Sequence, residues 1–232
     1  MVSMARPFLA DENWVKKAKE NRADEINTCI ACNQACLDHT FSNKLSSCLV
    51  NPRACHETEL NYTPTSNKKK IAVVGAGPAG LSFSAIAAER GHSVTLFDAE
   101  KEIGGQFNMA KKIPGKEEFY ETLRYFQKQL ELHKVDVQLN KRVQADDLKS
   151  YDEVVIATGI SPRNLSIEGI HHPKVLSYID VLKNDAAVGK KVAVIGAGGI
   201  GFDVSEFLTQ AGESTTLNKE EWIKEWGIDR KN

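Results

Sequence analysis

Ile71-Ala72-Val73-Val74-Gly75-Ala76-Gly77-Pro78-Ala79-Gly80 decides the fold of this chain. Four apolar residues run without a polar break, as in a strand buried on both faces. A G-x-G-x-x-G turn follows at once. Residues 79–90 continue as an apolar helix, and Gly91 reads as its C′ residue. Val94-Thr95-Leu96-Phe97 is the next strand. Strand, glycine turn, helix and strand form a βαβ unit, so the class is α/β with a Rossmann-like parallel sheet.

A lone G-x-G-x-x-G is weak evidence, but this one has its context. Gly75 permits the tight turn, and Gly77 lets the backbone approach a pyrophosphate. Gly80 packs helix on strand, and the helix N-terminus at Ala79 faces the phosphates. Asp98 stands 23 residues beyond Gly75, where a carboxylate accepts a ribose 2′-OH.

A second opening follows. Lys191-Val192-Ala193-Val194-Ile195 reads as a strand, Gly196-Ala197-Gly198-Gly199-Ile200-Gly201 as the turn, and a helix is expected near 200–211. Gly196, Gly198 and Gly201 therefore point to a nicotinamide dinucleotide. The residue that separates NAD from NADP belongs at the next strand end. Glu213 to Asn218 is a poor strand, so that choice is not readable; Asp203 and Glu206 lie on the helix and do not qualify.

Four of the five cysteines form C-x2-C-x3-C-x11-C: Cys29, Cys32, Cys36 and Cys48. The first three, on a helical turn and the loop beside it, converge on one point, and Cys48 can close a four-thiolate shell. Iron–sulfur clusters take four thiolates. Structural zinc does too, but usually as two C-x2-C knuckles, and the second pair is missing here. The spacing favours a cluster over zinc and over inert thiols. Cys55 reads as a buried small hydrophobe.

The remainder is scaffold. Met1 to Ala5 reads as strand-like. Residues 11–22 read as a helix with Asp11 as N-cap and Trp14, Val15 and Ala18 on one face. Residues 63–67 are a linker, and Lys68–Lys70 a solvated lead-in. Residues 116–133 are a helix whose Phe119, Leu123, Phe126 and Leu130 pack in the core. Val135 to Leu139 and Glu153 to Ala157 are strands. The six histidines are scattered, and no acid–base pair or triad stands out, so no catalytic residue is assigned.

Composition fits an ordinary globular chain: 232 residues, 41% apolar, 26% charged, net charge −1. That balance argues against nucleic acid as a partner, and no apolar run reaches the roughly 20 residues of a membrane helix. The start has no secretory h-region, which implies a cytoplasmic setting, and there clustered thiols bind metal more often than they form disulfides. A small-molecule substrate is expected; oligomeric state is not readable.

In order, Ala5-Arg6-Pro7-Phe8-Leu9-Ala10-Asp11, the four cysteines, the first glycine motif, Gly104-Gly105-Gln106, Ala157-Thr158-Gly159 and the second glycine motif resemble the bacterial NADPH-dependent 2,4-dienoyl-CoA reductases. These are relatives of trimethylamine dehydrogenase and old yellow enzyme. The resemblance implies the end of an FMN-binding TIM barrel (1–23), an iron–sulfur segment (24–66), an FAD domain (67–162) and the start of an inserted NAD(P) domain (163–232). It implies electrons passing from NADPH to FAD, through a 4Fe-4S cluster to FMN, to reduce an unsaturated acyl-CoA in fatty acid beta-oxidation. It assigns the four cysteines as cluster ligands. Gly75, Gly77, Gly80 and Asp98 become the FAD fingerprint, with Gly105, Gln106, Val143, Thr158 and Gly159 also at FAD. Ala5 and Arg6 fall at the FMN phosphate. Nearly all of the barrel is absent, so the chain reads as an internal stretch of a longer enzyme that does not hold FMN through Arg6 alone. Open sheet edges would make such a piece poorly soluble. Two rivals remain: a stand-alone flavin and iron–sulfur reductase subunit like the small subunit of glutamate synthase, and a zinc-stapled nucleotide-binding module without catalysis.

Overall fold

Ahead of the first strand the chain is held by short helices: α1 (Arg6–Ala10), α2 (Trp14–Lys19) and α3 (Leu37–Phe41). The computed structural model describes residues 3–163 and 165–230. Within them the strand expected near Met1 to Ala5 does not form; Met1 and Val2 lie outside the described residues. Pro7 sits in the first turn of α1, where its missing N–H costs nothing. Asp11 is not the N-cap of α2; Asn13 is. Val15 and Ala18 stay exposed, and Trp14 packs edge-on against Phe8 with ring centroids 6.5 Å apart. Cys55 is exposed rather than buried, on left-handed backbone with φ +64°. A turn at the surface has placed it, which an apolar side-chain argument does not foresee.

Two compact units divide the chain. The first contains residues 3–107 and 118–160. Its centre is a four-stranded parallel sheet of β1 (Lys70–Val74), β2 (Ser93–Phe97), β3 (Asp136–Gln138) and β4 (Glu153–Ile156), in the order β3-β2-β1-β4. β1 is paired on both sides, with Val73 opposite Leu96 and Val155. Its Ile71, Ala72 and Val73 are buried accordingly. Among the described residues β4 pairs with β1 alone, and its Ile156 is 67% exposed. Between β1 and β2 runs α4 (Pro78–Glu89), which ends before Gly91 at φ +98°. α5 (Phe107–Ala110) starts at the unit boundary. α6 (Glu118–Leu132) packs Leu123, Phe126 and Leu130 on the core of Ile71, Val73, Leu81, Val94 and Leu96. Phe119 leaves that stripe and lies against Phe107, at 4.4 Å between centroids.

The second unit contains residues 108–117 and, from 161 onward, the rest of the described chain. It has α7 (Tyr178–Leu182), α8 (Gly199–Thr209) and α9 (Lys219–Glu225). Ile113, Leu182 and Val204 form a small core with Met109, Tyr178, Phe207 and Leu208. Lys116 Nζ donates to both carboxylate oxygens of Asp203 at 2.6 Å, which fixes the 108–117 segment against α8. The strand expected at 191–195 is absent: no ladder forms there among the described residues, and Val194 and Ile195 are 40% and 80% exposed. A parallel strand is made by its neighbours, and among the described residues this segment pairs with none. Glu213 to Asn218 likewise holds only a 3₁₀ turn, Thr215–Leu217. Among the described residues no helix is long and apolar enough to cross a membrane.

Candidate functional site

The first glycine turn is built by close backbone approaches. Gly75 has φ +110°, and a Cβ there would stand 2.3 Å from the Ala157 carbonyl oxygen. Its N–H donates to Phe97 O at 2.8 Å, so the turn is held between the ends of β2 and β4. A Cβ on Gly80 would come within 1.8 Å of Gly75 O, so the first turn of α4, with Ala79 in it, lies directly on the loop. Gly77 is the N-cap, and a Cβ on it would meet nothing within 4 Å. The Gly104 N–H donates to Ala76 O at 2.7 Å, and a Cβ on Gly105 would lie 3.0 Å from Gly77 Cα. Gln106 Nε2 donates to Ile160 O at 3.5 Å, just past Thr158 and Gly159.

Gly75, Gly77, Ala79, Gly80, Gly105, Gln106, Thr158 and Gly159 are thereby gathered at the carboxyl ends of β1 and β4, the place where open α/β sheets take ligands. The free space at Gly77, beside a helix start whose first N–H groups have no acceptor within the helix, fits a pyrophosphate. Asp98 has a role not foreseen from its spacing. Its carboxylate accepts the Ala76 N–H at 2.6 Å and the Glu100 N–H at 2.8 Å, so it also closes the turn. Val143 is half-buried two residues past Lys141, whose N–H donates to Asp98 O at 2.8 Å.

The second turn repeats this geometry in its own unit. Gly196 has φ +116°, a Cβ on Gly201 would lie 2.1 Å from Gly196 O, and Gly198 caps α8 with open space around it. The turn forms although its strand does not, because these contacts are local.

Cys29, Cys32, Cys36 and Cys48 line one cavity, together with Arg6, Leu9, Ile30 and Leu49. Two left-handed residues, Ala31 at φ +54° and Asn33 at φ +59°, wind the chain between the first three thiols. The Ala31 N–H donates to Cys29 Sγ at 3.4 Å. Two bridges bring in the distant Cys48. The Ser47 N–H donates to Ala35 O at 2.6 Å, and Asn27 Nδ2 donates to Val50 O at 2.7 Å. Burial pushes the Cys48 thiol up; N–H groups of Val50 and Asn51 oppose that, and the neighbouring Cys29 and Cys32 add to it. None of the four is in a disulfide. Among the described residues no group of three or more His, Cys, Asp or Glu side chains is arranged to hold a metal ion. Four sulfurs line one cavity, and an N–H is directed at one of them; four thiolates are the donor set of an iron–sulfur cluster. Arg6 lies here too: its Nη1 donates to Asn33 Oδ1 at 2.5 Å, and Ala5 caps α1.

Three residues outside this cavity's lining hold the segments that carry its thiols, through contacts that no local sequence pattern signals. Asp11 is 3% exposed, and its carboxylate accepts from Lys17 Nζ at 2.6 Å, Asn13 N–H at 3.0 Å and Asn27 N–H at 2.8 Å. Asn27 is 7% exposed and bridges to the far side of Cys48. Arg124 reaches from α6 to the segment before Cys29.

Residues 69–225 match the family described as Pyridine nucleotide-disulphide oxidoreductase. A metal reductase from Desulforamulus reducens is 36% identical over 225 residues, 94% of this chain and 33% of that protein. A cinnamate reductase from Clostridium sporogenes is 34% identical over 224 residues, 94% and 33% of the two chains. A solved structure of 2-naphthoyl-CoA reductase with 2-naphthoyl-CoA superimposes with a TM-score of 0.85 at 38% identity, covering 88% of this chain and 32% of that one. The chain spans about a third of the length of these proteins.

Proposed function

This chain belongs to the pyridine nucleotide-disulphide oxidoreductase family, among the flavoenzymes related to old yellow enzyme and trimethylamine dehydrogenase, and on that footing we propose that it is the electron-transfer part of an NAD(P)H-dependent reductase of unsaturated acyl-CoA thioesters. The observation that carries the reading is the presence, in one compact unit, of a formed dinucleotide turn and a cavity lined by four thiols. Bound there, FAD would take hydride from NAD(P)H and an iron–sulfur cluster would pass electrons on singly toward FMN.

The chain's own residues bind and orient. Gly75 and Gly80 let α4 lie on the turn, and the N–H groups at Ala79 and Gly80 meet the pyrophosphate. Asp98 keeps the turn closed and offers its carboxylate at the ribose. Gly105, Gln106, Val143, Thr158 and Gly159 would help to hold FAD, Val143 at its adenine side. Gly196, Gly198 and Gly201 hold the nicotinamide dinucleotide. Cys29, Cys32, Cys36 and Cys48 ligate iron. FMN, with Ala5 and Arg6 at its phosphate, and the acyl group fall mostly to residues outside this chain. The 2-naphthoyl-CoA named for the structural relative supports a conjugated thioester as acceptor, with a 2,4-dienoyl-CoA of fatty acid oxidation as the specific expectation.

The test uses the full-length enzyme, anaerobic and cofactor-loaded. NADPH and NADH oxidation is followed with a 2,4-dienoyl-CoA, with cinnamate and with ferric iron. Consumption of pyridine nucleotide that depends on the dienoyl-CoA supports the reading. Oxidation indifferent to every acyl-CoA, or an enzyme holding no flavin, overturns it.

A further inference from the structure

We propose that Arg124 is a positioning residue that fixes the thiol cavity to the nucleotide-binding sheet, and so sets where Cys29 stands relative to the flavin turn. The inference rests on the reading that the four thiols hold an electron-carrying cluster.

α6 is seated on the sheet by Leu123, Phe126 and Leu130. The Arg124 guanidinium leaves that helix and is used at all three nitrogens. Nη1 donates to Ala23 O at 3.2 Å and to Asp24 O. Nη2 donates to Ile26 O at 2.9 Å and Thr28 Oγ1 at 3.3 Å, and Nε donates to Glu121 Oε2 at 2.7 Å. One turn further on, Lys128 Nζ pairs with Asp24 at 2.8 Å. The opposite side of the same segment is held by Asp11 at the Asn27 N–H and by Lys17 Nζ at Glu25 O, 2.9 Å.

Residues 26–28 belong to no helix or strand, and the residue after them is Cys29. Backbone without a ladder takes its place from whatever satisfies its polar groups. Here the carbonyls of Ala23, Asp24 and Ile26 and the Thr28 hydroxyl are served by one planar fork rooted in the nucleotide-binding fold, with Asp11 and Lys17 on the other side. The placement carries on to Cys48 through the Asn27 to Val50 bridge. An ammonium in place of the guanidinium cannot serve four oxygens in that geometry.

Arg124→Gln, Arg124→Lys and Thr28→Val are made in the full-length enzyme and purified anaerobically. FAD content, iron content, hydrogen exchange across residues 23–29 and the rate of cluster bleaching after mixing with NADPH are measured. Arg124→Gln is expected to keep FAD and to raise exchange across 23–29 by about tenfold or more. It should also slow bleaching or lose iron selectively. Arg124→Lys and Thr28→Val should move the same way by less. Unchanged exchange, iron and bleaching rate in Arg124→Gln overturn the inference. Should that variant lose FAD as well, the two milder ones decide, and wild-type behaviour in both overturns it. A wild-type enzyme without iron sinks the functional reading instead; the exchange data then decide whether Arg124 fixes the segment.

Discussion

Gly80 and Gly77 lie in one turn three residues apart, and the structure predicts opposite outcomes for alanine at each. A Cβ on Gly80 would stand 1.8 Å from a backbone oxygen, where real contacts begin near 3.0 Å. Since the obstacle is Gly75 O rather than a side-chain tip, α4 must lift off the loop. Overpacking of this kind costs about 1–3 kcal/mol, and the better helix propensity of alanine returns up to about 1. A net loss of about 1–2 kcal/mol lowers Tm by roughly 2–8 °C for a chain of this size. Gly77→Ala meets nothing within 4 Å and keeps a φ of −76°, so it loses only an N-cap glycine, under about 1 kcal/mol. Its methyl enters the space next to the helix N-terminus, and FAD affinity should fall about tenfold or more. Thermal unfolding by circular dichroism and FAD released on denaturation read the two effects separately. Gly77→Ala with full FAD content and a Tm as low as that of Gly80→Ala would refute the reasoning.

Asn27→Ala removes a buried donor to Val50 O and should cost about 1–3 kcal/mol in urea unfolding, together with lower iron content; unchanged iron would show that the bridge does not place Cys48. The Ser177 hydroxyl and N–H hold the Asp180 carboxyl below the ordinary range at the start of α7. A carboxylate depressed on folding contributes stability above its unfolded pKa and loses it as pH falls through the folded one. Ser177→Ala should therefore move the Asp180 NMR titration upward, and an unmoved curve counts against the capping box. In reduced, cluster-free protein, exposed Cys55 should alkylate before Cys48, whose thiol is pushed up by burial; the reverse order by peptide mapping would contradict this placement.

What the sequence disclosed was local. β1, the glycine turn, α4 and β2 share one continuous stretch, and each residue's preference agrees with its neighbours', so the element bounds fall within a residue or two. α6 shows in its apolar spacing for the same reason. Val192 to Ile195 has the composition of a buried strand and fails to become one, since a strand depends on partners elsewhere. The helix at Arg6–Ala10, the exposed Cys55 and the buried Asp11 are likewise products of surroundings that no local pattern carries. The cavity was half legible. The thiol spacing marks its lining, while the bridges from Asn27 and Arg124 join residues 23 and about 100 positions apart. A polar face on α6 looks the same whether it meets water or holds a neighbouring segment.

Iron and acid-labile sulfide per chain in anaerobically purified full-length protein, read beside its visible spectrum, bear most directly on the electron-transfer account. About four of each on top of the flavin bands, both lost in Cys36→Ser, is the predicted result. Colourless protein carrying a single zinc would contradict it.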